Sequence, residues 1–140
     1  MKGKSIDEMA VGDSAEVAKT ISESDVYTFA GVTGDFNPAH VNEHYASGTF
    51  FKKRIAHGML SAGLISSVLG THMPGPGAVY ISQELNFRAP VYIGDTITAR
   101  AEVKEVLKEK NRVRLETTCI NQDGTVVIDG SALMSPARRR

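Results

Sequence analysis

The segment from Ala56 to Gly70 restricts the fold more than any other part of this chain. Met59, Leu60, Leu64, Ile65, Val68 and Leu69 surround a helix rather than lining one stripe of it, and Ser61, Ala62, Gly63, Ser66 and Ser67 between them are all small. A helix that is apolar on most sides is normally a buried one. Its small residues let neighbouring groups approach the backbone closely, so the remainder of the chain has to cover it.

The period changes after the turn at Met73–Gly77. Val79, Ile81, Leu85, Phe87 and Val91 alternate against Tyr80, Ser82, Glu84, Asn86 and Arg88. Ile97, Ala99, Ala101 and Val103 do the same against Thr98, Arg100, Glu102 and Lys104, and Val113, Leu115, Thr117 and Cys119 continue the pattern. Asp123-Gly124 gives a tight hairpin signal before Val126, Ile128, Ala132 and Met134. Period two with short connections predicts antiparallel strands with one buried face. A long buried helix covered by a curved antiparallel sheet is an α+β architecture, the layout of the hot-dog fold.

Upstream, Ser14–Ile21 alternates well enough for a first strand. Ser22 stands three residues before Asp25, a capping-box pattern that opens a helix carrying Val26, Phe29 and Ala30 on one face, and Gly34 is placed to end it. From Asp35 to Ile55 the pattern is irregular. Pro38 forbids a continuous helix there and fixes a turn, with a short helical turn expected from about Asn42 to Ser47.

The chain of 140 residues fits one domain, 1–136, followed by a basic tail, 137–140, that ends in three arginines. Sixteen basic residues balance sixteen acidic ones, so bulk charge points to neither nucleic acid nor a membrane surface. The first residues lack the apolar run of a signal peptide, and no stretch approaches the ~20 apolar residues of a spanning helix. The single cysteine, Cys119, precludes an intramolecular disulfide and a cysteine metal cluster. It falls among the inward positions of its strand and reads as core. A cytoplasmic location is the expectation.

The segment Thr33-Gly-Asp-Phe-Asn-Pro-Ala-His40 resembles the hydratase signature of the MaoC-like, (R)-specific enoyl-CoA hydratase family. Two further pieces, Ile55-Ala-His-Gly-Met-Leu60 and Leu85-Asn-Phe-Arg-Ala-Pro-Val-Tyr-Ile-Gly-Asp95, match in order and spacing, so the resemblance runs from about Ile21 to Ala132. It implies a single hot-dog domain of the short kind associated with polyester-precursor supply. The implied reaction is reversible hydration of a trans-2-enoyl-CoA to an (R)-3-hydroxyacyl-CoA, a hydro-lyase reaction on short acyl groups.

Hydration needs a water activated at the β-carbon, a proton delivered to the α-carbon, and stabilised charge on the thioester oxygen. The resemblance assigns the first two tasks to Asp35 and His40, whose side chains converge across Asn37-Pro38. It gives Asn37 and Ser66 supporting roles and makes Gly58 the oxyanion donor. The residues alone also read as a turn, because Asp, Asn, Pro and Gly are turn formers and Asp35 suits a cap. Gly58 alone also reads as a packing glycine in the first turn of the buried helix, where free N–H groups and the dipole favour negative charge. His57 reads as structural. Asp35, His40 and His44 have the composition of a two-histidine, one-carboxylate metal site, but Pro38 breaks the helical face such spacing would use, so no metal is expected. Lys52, Lys53 and Arg54 are a solvated basic run that could meet coenzyme A phosphates.

No cofactor is expected, coenzyme A being part of the substrate. Two alternatives differ in class: a hot-dog thioesterase, which lacks need of the Asp/His pairing, and a catalytically silent acyl-thioester-binding subunit. Uncovered sheet edges and one bare helix flank predict a homodimer with the acyl tunnel between subunits.

Overall fold

The computed structural model describes residues 2–138; Met1 and, from the basic tail, Arg139 and Arg140 lie outside the described residues. Strand β1 (Ser14–Thr20) leads into helix α1 (Glu23–Thr33). The start of α1 is set by the predicted box: Ser22 Oγ accepts from the Asp25 amide at 3.1 Å, and Asp25 Oδ2 accepts from the Ser22 amide at 2.9 Å. Gly34 ends the helix at φ 80°, a left-handed conformation that needs no Cβ.

Two short helices follow, α2 (Pro38–Val41) and α3 (Glu43–Ser47). The first corrects the sequence expectation. Pro38 does not merely fix a turn; it occupies the first helical position, where its missing N–H costs nothing, and Asn37 caps it by accepting from the Ala39 amide at 3.0 Å.

Helix α4 (Gly58–Ser67) continues as a π turn through Val68–His72. Ser61, Ile65, Val68 and Leu69 are at most 1 % exposed, so the helix is central as expected. The sheet that covers it contains β2 (Val79–Phe87), β3 (Thr96–Leu107), β4 (Arg112–Ile120) and β5 (Val126–Ser135), in the order β1-β3-β4-β5-β2, all antiparallel. The inward rows of β3 and β4, from Ile97 to Val103 and from Val113 to Cys119, are fully buried.

Strands β2 and β5 depart from simple alternation. A bulge between Tyr80 and Ser82 breaks the period in β2, and Val79, Ile81 and Phe87, expected inside, are 57 %, 43 % and 54 % exposed. A second irregularity, where β4 meets β5 at Ile120, turns Val126 out and buries Val127 beside Ile128. Each irregularity leaves an extra residue unpaired, which hydrophobicity alone does not reveal; beyond the first, Leu85 still packs on the core and Phe87 stands over Gly58. The result leaves β2 as an edge strand with apolar residues toward solvent. No helix of the described residues is long and apolar enough to cross a membrane.

Candidate active site

Asp35 lies on the segment joining α1 to α2 and His40 on α2 itself, and the local sequence fixes both. Asp35 follows the left-handed Gly34; its amide donates to Thr33 Oγ1 at 3.2 Å, and its Oδ1 accepts from the Asn37 amide at 3.2 Å. His40 stands on the single turn that Asn37 caps. Its Nδ1 lies 2.7 Å from the carbonyl oxygen of Ile55. A carbonyl only accepts, so Nδ1 carries the proton and Nε2 presents the lone pair.

His57 completes the cluster from the start of α4. Its Nε2 lies 2.9 Å from the carbonyl oxygen of Asp35, and its ring centroid is 3.9 Å from that of His40 and 4.7 Å from that of Phe29. A carboxylate oxygen of Asp35 and ring nitrogens of His40 and His57 fall within 4.8 Å of one another. Two acceptors at that spacing can share one water molecule, each at ordinary hydrogen-bond length.

The same three residues form a carboxylate-and-histidine set of the kind that holds metals, in place of the His44 variant considered from sequence. Of the ring nitrogens, only His40 Nε2 and His57 Nδ1 are left as ligand atoms, and the ring geometry does not aim them at one ion. His40 Nδ1 and His57 Nε2 are committed to backbone carbonyls. The rings are also stacked with only 32° between their planes. Lone pairs lie in the ring planes, so such rings do not converge on one ion at the ~2.0–2.1 Å a zinc–nitrogen bond requires. His44 is exposed on α3.

A cleft of about 560 Å³ opens beside His40. Gly58 and Ser61 of α4 line it, with Ala56, Val91, Val127 and Ile128 supplying apolar walls. Gly58 is the first residue of α4, so its N–H is among those without an intrahelical acceptor, and the helix dipole adds positive charge there. A Cβ at this position would stand 2.7 Å from the ring of Phe87, which closes over the glycine from β2.

Of the residues singled out from sequence, Asp35, His40 and Gly58 are brought to one place. Asn37 caps α2 through its side-chain oxygen and donates its backbone N–H to Asp35 Oδ1. Ser66 is not brought to the pair: it is exposed and lines a separate groove with Met59, Tyr80 and Gln83. Two turns of helix carry it away from the His57 end. Arg54 leaves the basic run, since it bonds Glu23 Oε1 at 2.6 Å, Glu43 Oε2 at 2.8 Å and the Tyr27 hydroxyl at 2.9 Å. Lys52 and Lys53 alone remain exposed, with Lys53 Nζ 4.6 Å from the centre of the Tyr92 ring. Sequence reasoning did not single out Ser61, one small residue among several, or Phe87, which read as ordinary core.

Similarity to known proteins agrees with this geometry. The (R)-specific enoyl-CoA hydratase of Rhodospirillum rubrum is 62 % identical over 91 % of this chain and 88 % of its own. The 3-hydroxybutyryl-CoA dehydratase of Methylorubrum extorquens is 53 % identical over 95 % of this chain and 84 % of its own. Among solved structures, the unliganded R-hydratase PhaJ1 of Pseudomonas aeruginosa superposes with a TM-score of 0.93 at 45 % identity, covering 98 % of this chain and 88 % of that one. The family described as the MaoC like domain matches residues 8–124, and the chain belongs to that family.

Proposed function

We propose that this protein is a hydro-lyase, an (R)-specific enoyl-CoA hydratase that adds water reversibly to trans-2-enoyl-CoA to give (R)-3-hydroxyacyl-CoA. The observation that carries the reading is an Asp35 carboxylate oxygen and a His40 ring nitrogen within 4.8 Å of one another, with His40 lining an apolar cleft that Gly58, the first residue of α4, also lines. The names of the Rhodospirillum and Methylorubrum relatives support the carrier, the stereochemistry and a short acyl chain.

In this reading one water sits between the Asp35 carboxylate and the His40 lone pair. The Asp35 carboxylate accepts one hydrogen bond from this water and orients it; as the oxygen adds to the β-carbon, the water's other proton passes to the lone pair of His40 Nε2, which delivers that proton to the α-carbon. One oxygen–hydrogen bond of water and the π bond between the α- and β-carbons break, and a carbon–oxygen and a carbon–hydrogen bond form. Charge that develops on the thioester oxygen meets the Gly58 N–H, a donor oriented before the reaction starts. Water, thioester and these side chains suffice, and no metal or cofactor takes part.

The assembly is a homodimer. Edge strand β2 has one side unpaired, and Val79, Tyr80, Ile81 and Phe87 on it, with Met59 beside it, are each at least 40 % exposed. Pairing two copies along β2 would bury this surface, continue the sheet and place the partner beside the cleft. A cytoplasmic location is part of the same reading, supported by the lone buried thiol.

Chiral analysis of the product from crotonyl-CoA tests the assignment, with sedimentation on the same sample. An (R)-3-hydroxybutyryl product from a dimer is expected. An (S) product overturns the stereochemical assignment, and release of free thiol without a hydroxyacyl product would make the protein a thioesterase.

A further inference from the structure

Among the described residues, two buried side-chain atoms make no hydrogen bond: His57 Nδ1 and Ser61 Oγ. Neither is marginal, since His57 is 2 % and Ser61 0 % exposed. An unmet buried polar atom costs on the order of 1–3 kcal/mol, so two at the start of one helix require a physical cause. His57 is the N-cap of α4 and Ser61 lies four residues on. Helical side chains lean toward the N-terminus, over the residue three or four positions earlier. That lean carries the Ser61 side chain toward the turn that His57 opens.

The two atoms are chemically complementary. Because His57 Nε2 faces the Asp35 carbonyl oxygen, it carries the ring proton, and Nδ1 is the lone-pair nitrogen. One side is an acceptor lacking a donor; the other is a hydroxyl lacking an acceptor. The geometry points to a positioning pair in which Ser61 Oγ–H donates to His57 Nδ1, by a rotamer change or through one water, and locks His57 as the Nε2–H tautomer. That tautomer holds the main chain of Asp35. The ring, 3.9 Å from that of His40, sets the surface against which His40 stands. The pair acts through Asp35 and His40, and the split between kcat and KM separates this from a direct substrate contact of Ser61, which lines the cleft. The kinetic consequence rests on the hydratase reading, whereas the pairing itself does not.

The test combines histidine ¹⁵N NMR of the full chain with a double-mutant cycle on crotonyl-CoA turnover. His57→Gln keeps a donor for the Asp35 carbonyl and removes the Nδ1 lone pair. Ser61→Ala is expected to lower kcat about tenfold, the value of one hydrogen bond, with KM within about twofold, and to move the His57 Nδ1 resonance. In the His57→Gln background the same change should add less than about twofold. Should Ser61→Ala not fold, Ser61→Cys, close in volume and a weaker donor, takes its place in the cycle. Additive losses, an unmoved Nδ1 resonance, or a change confined to KM would overturn the pair, the last making Ser61 a substrate contact. Wild type without hydratase activity would remove the functional reading, while the spectra still decide the pairing.

Discussion

His40 Nδ1 donates to the carbonyl oxygen of Ile55 at 2.7 Å, and this one bond decides which nitrogen of His40 is available for chemistry. Ile55 lies just ahead of α4, fifteen residues along the chain. The bond therefore ties the α2 turn to the start of the central helix and points the basic nitrogen away from it.

From this follows the first prediction. His40→Gln removes the proton carrier and Asp35→Asn the carboxylate that orients the water, each while preserving size and polarity. Each should reduce turnover of crotonyl-CoA by about 10²–10⁴-fold, the range for general acid–base groups. Asp35 is exposed and His40 half-buried, so thermal melts of both variants should stay within a few degrees of wild type.

Asn37 offers a separable test of the scaffold. Asn37→Ala removes the α2 cap and should cost about 1 kcal/mol, whereas Asn37→Asp keeps an acceptor for the Ala39 amide and should cost little. Denaturant titration measures both. Equal destabilisation by the two substitutions would contradict a capping role.

Gly58→Ala places a methyl group 2.7 Å from Phe87, a clash the half-exposed ring can relieve by swinging out. The fold should survive, but the thioester oxygen loses its close approach to the N–H. A fall in kcat of about 10²-fold is expected, within the range for loss of one oxyanion donor. Adding Phe87→Ala should relieve the clash without restoring activity, as steady-state kinetics of the double variant would show.

Arg54 clamps α1 to α3 through Glu23 and Glu43, next to the residue that anchors His40. The Arg54 guanidinium, then the Tyr27 hydroxyl, hold the Glu23 carboxyl below its ordinary range. A lowered folded value stabilises the fold above the unfolded value of about 4.3 and is lost as pH falls through the folded one. Arg54→Ala should lower the melting temperature by a few degrees at pH 7, and the gap from wild type should narrow below about pH 4. Melts across pH 3–7 check the sign; a gap that widens on acidification would contradict it.

The all-round apolarity of α4 and the period-two rows of β3 and β4 were legible because those elements are buried and regular. The Ser22–Asp25 box and Gly34 were legible because capping is local chemistry. The bulge in β2 was not, since one extra residue at Ile81 leaves the composition unchanged, nor was the partial exposure of Phe87, which lines the cleft beside Gly58. Asp35, His40 and Gly58 were found through a motif, while His57 and Ser61 became informative only when burial and missing partners could be seen. Ser66 lines the groove of Met59, Tyr80 and Gln83 rather than the cleft of His40, and a sequence match says nothing about which cavity a helical residue lines.

Cys119 separates core from chemistry. Burial pushes its thiol up to about 12, and its Sγ–H points at the Ser61 carbonyl oxygen at 3.6 Å. Native protein should resist alkylation by iodoacetamide at pH 8, and the same reagent should label one site after unfolding, as mass spectrometry would report.

The central claim is that Asp35 and His40 together hydrate a conjugated thioester. Its most direct test follows the absorbance of crotonyl-CoA with wild type, Asp35→Asn and His40→Gln side by side. Rapid loss with wild type, a hydroxyacyl product and near-silence from both folded variants are the predicted result. Undiminished turnover in either variant, or no loss with folded wild type on crotonyl-CoA and longer enoyl thioesters, would contradict the account.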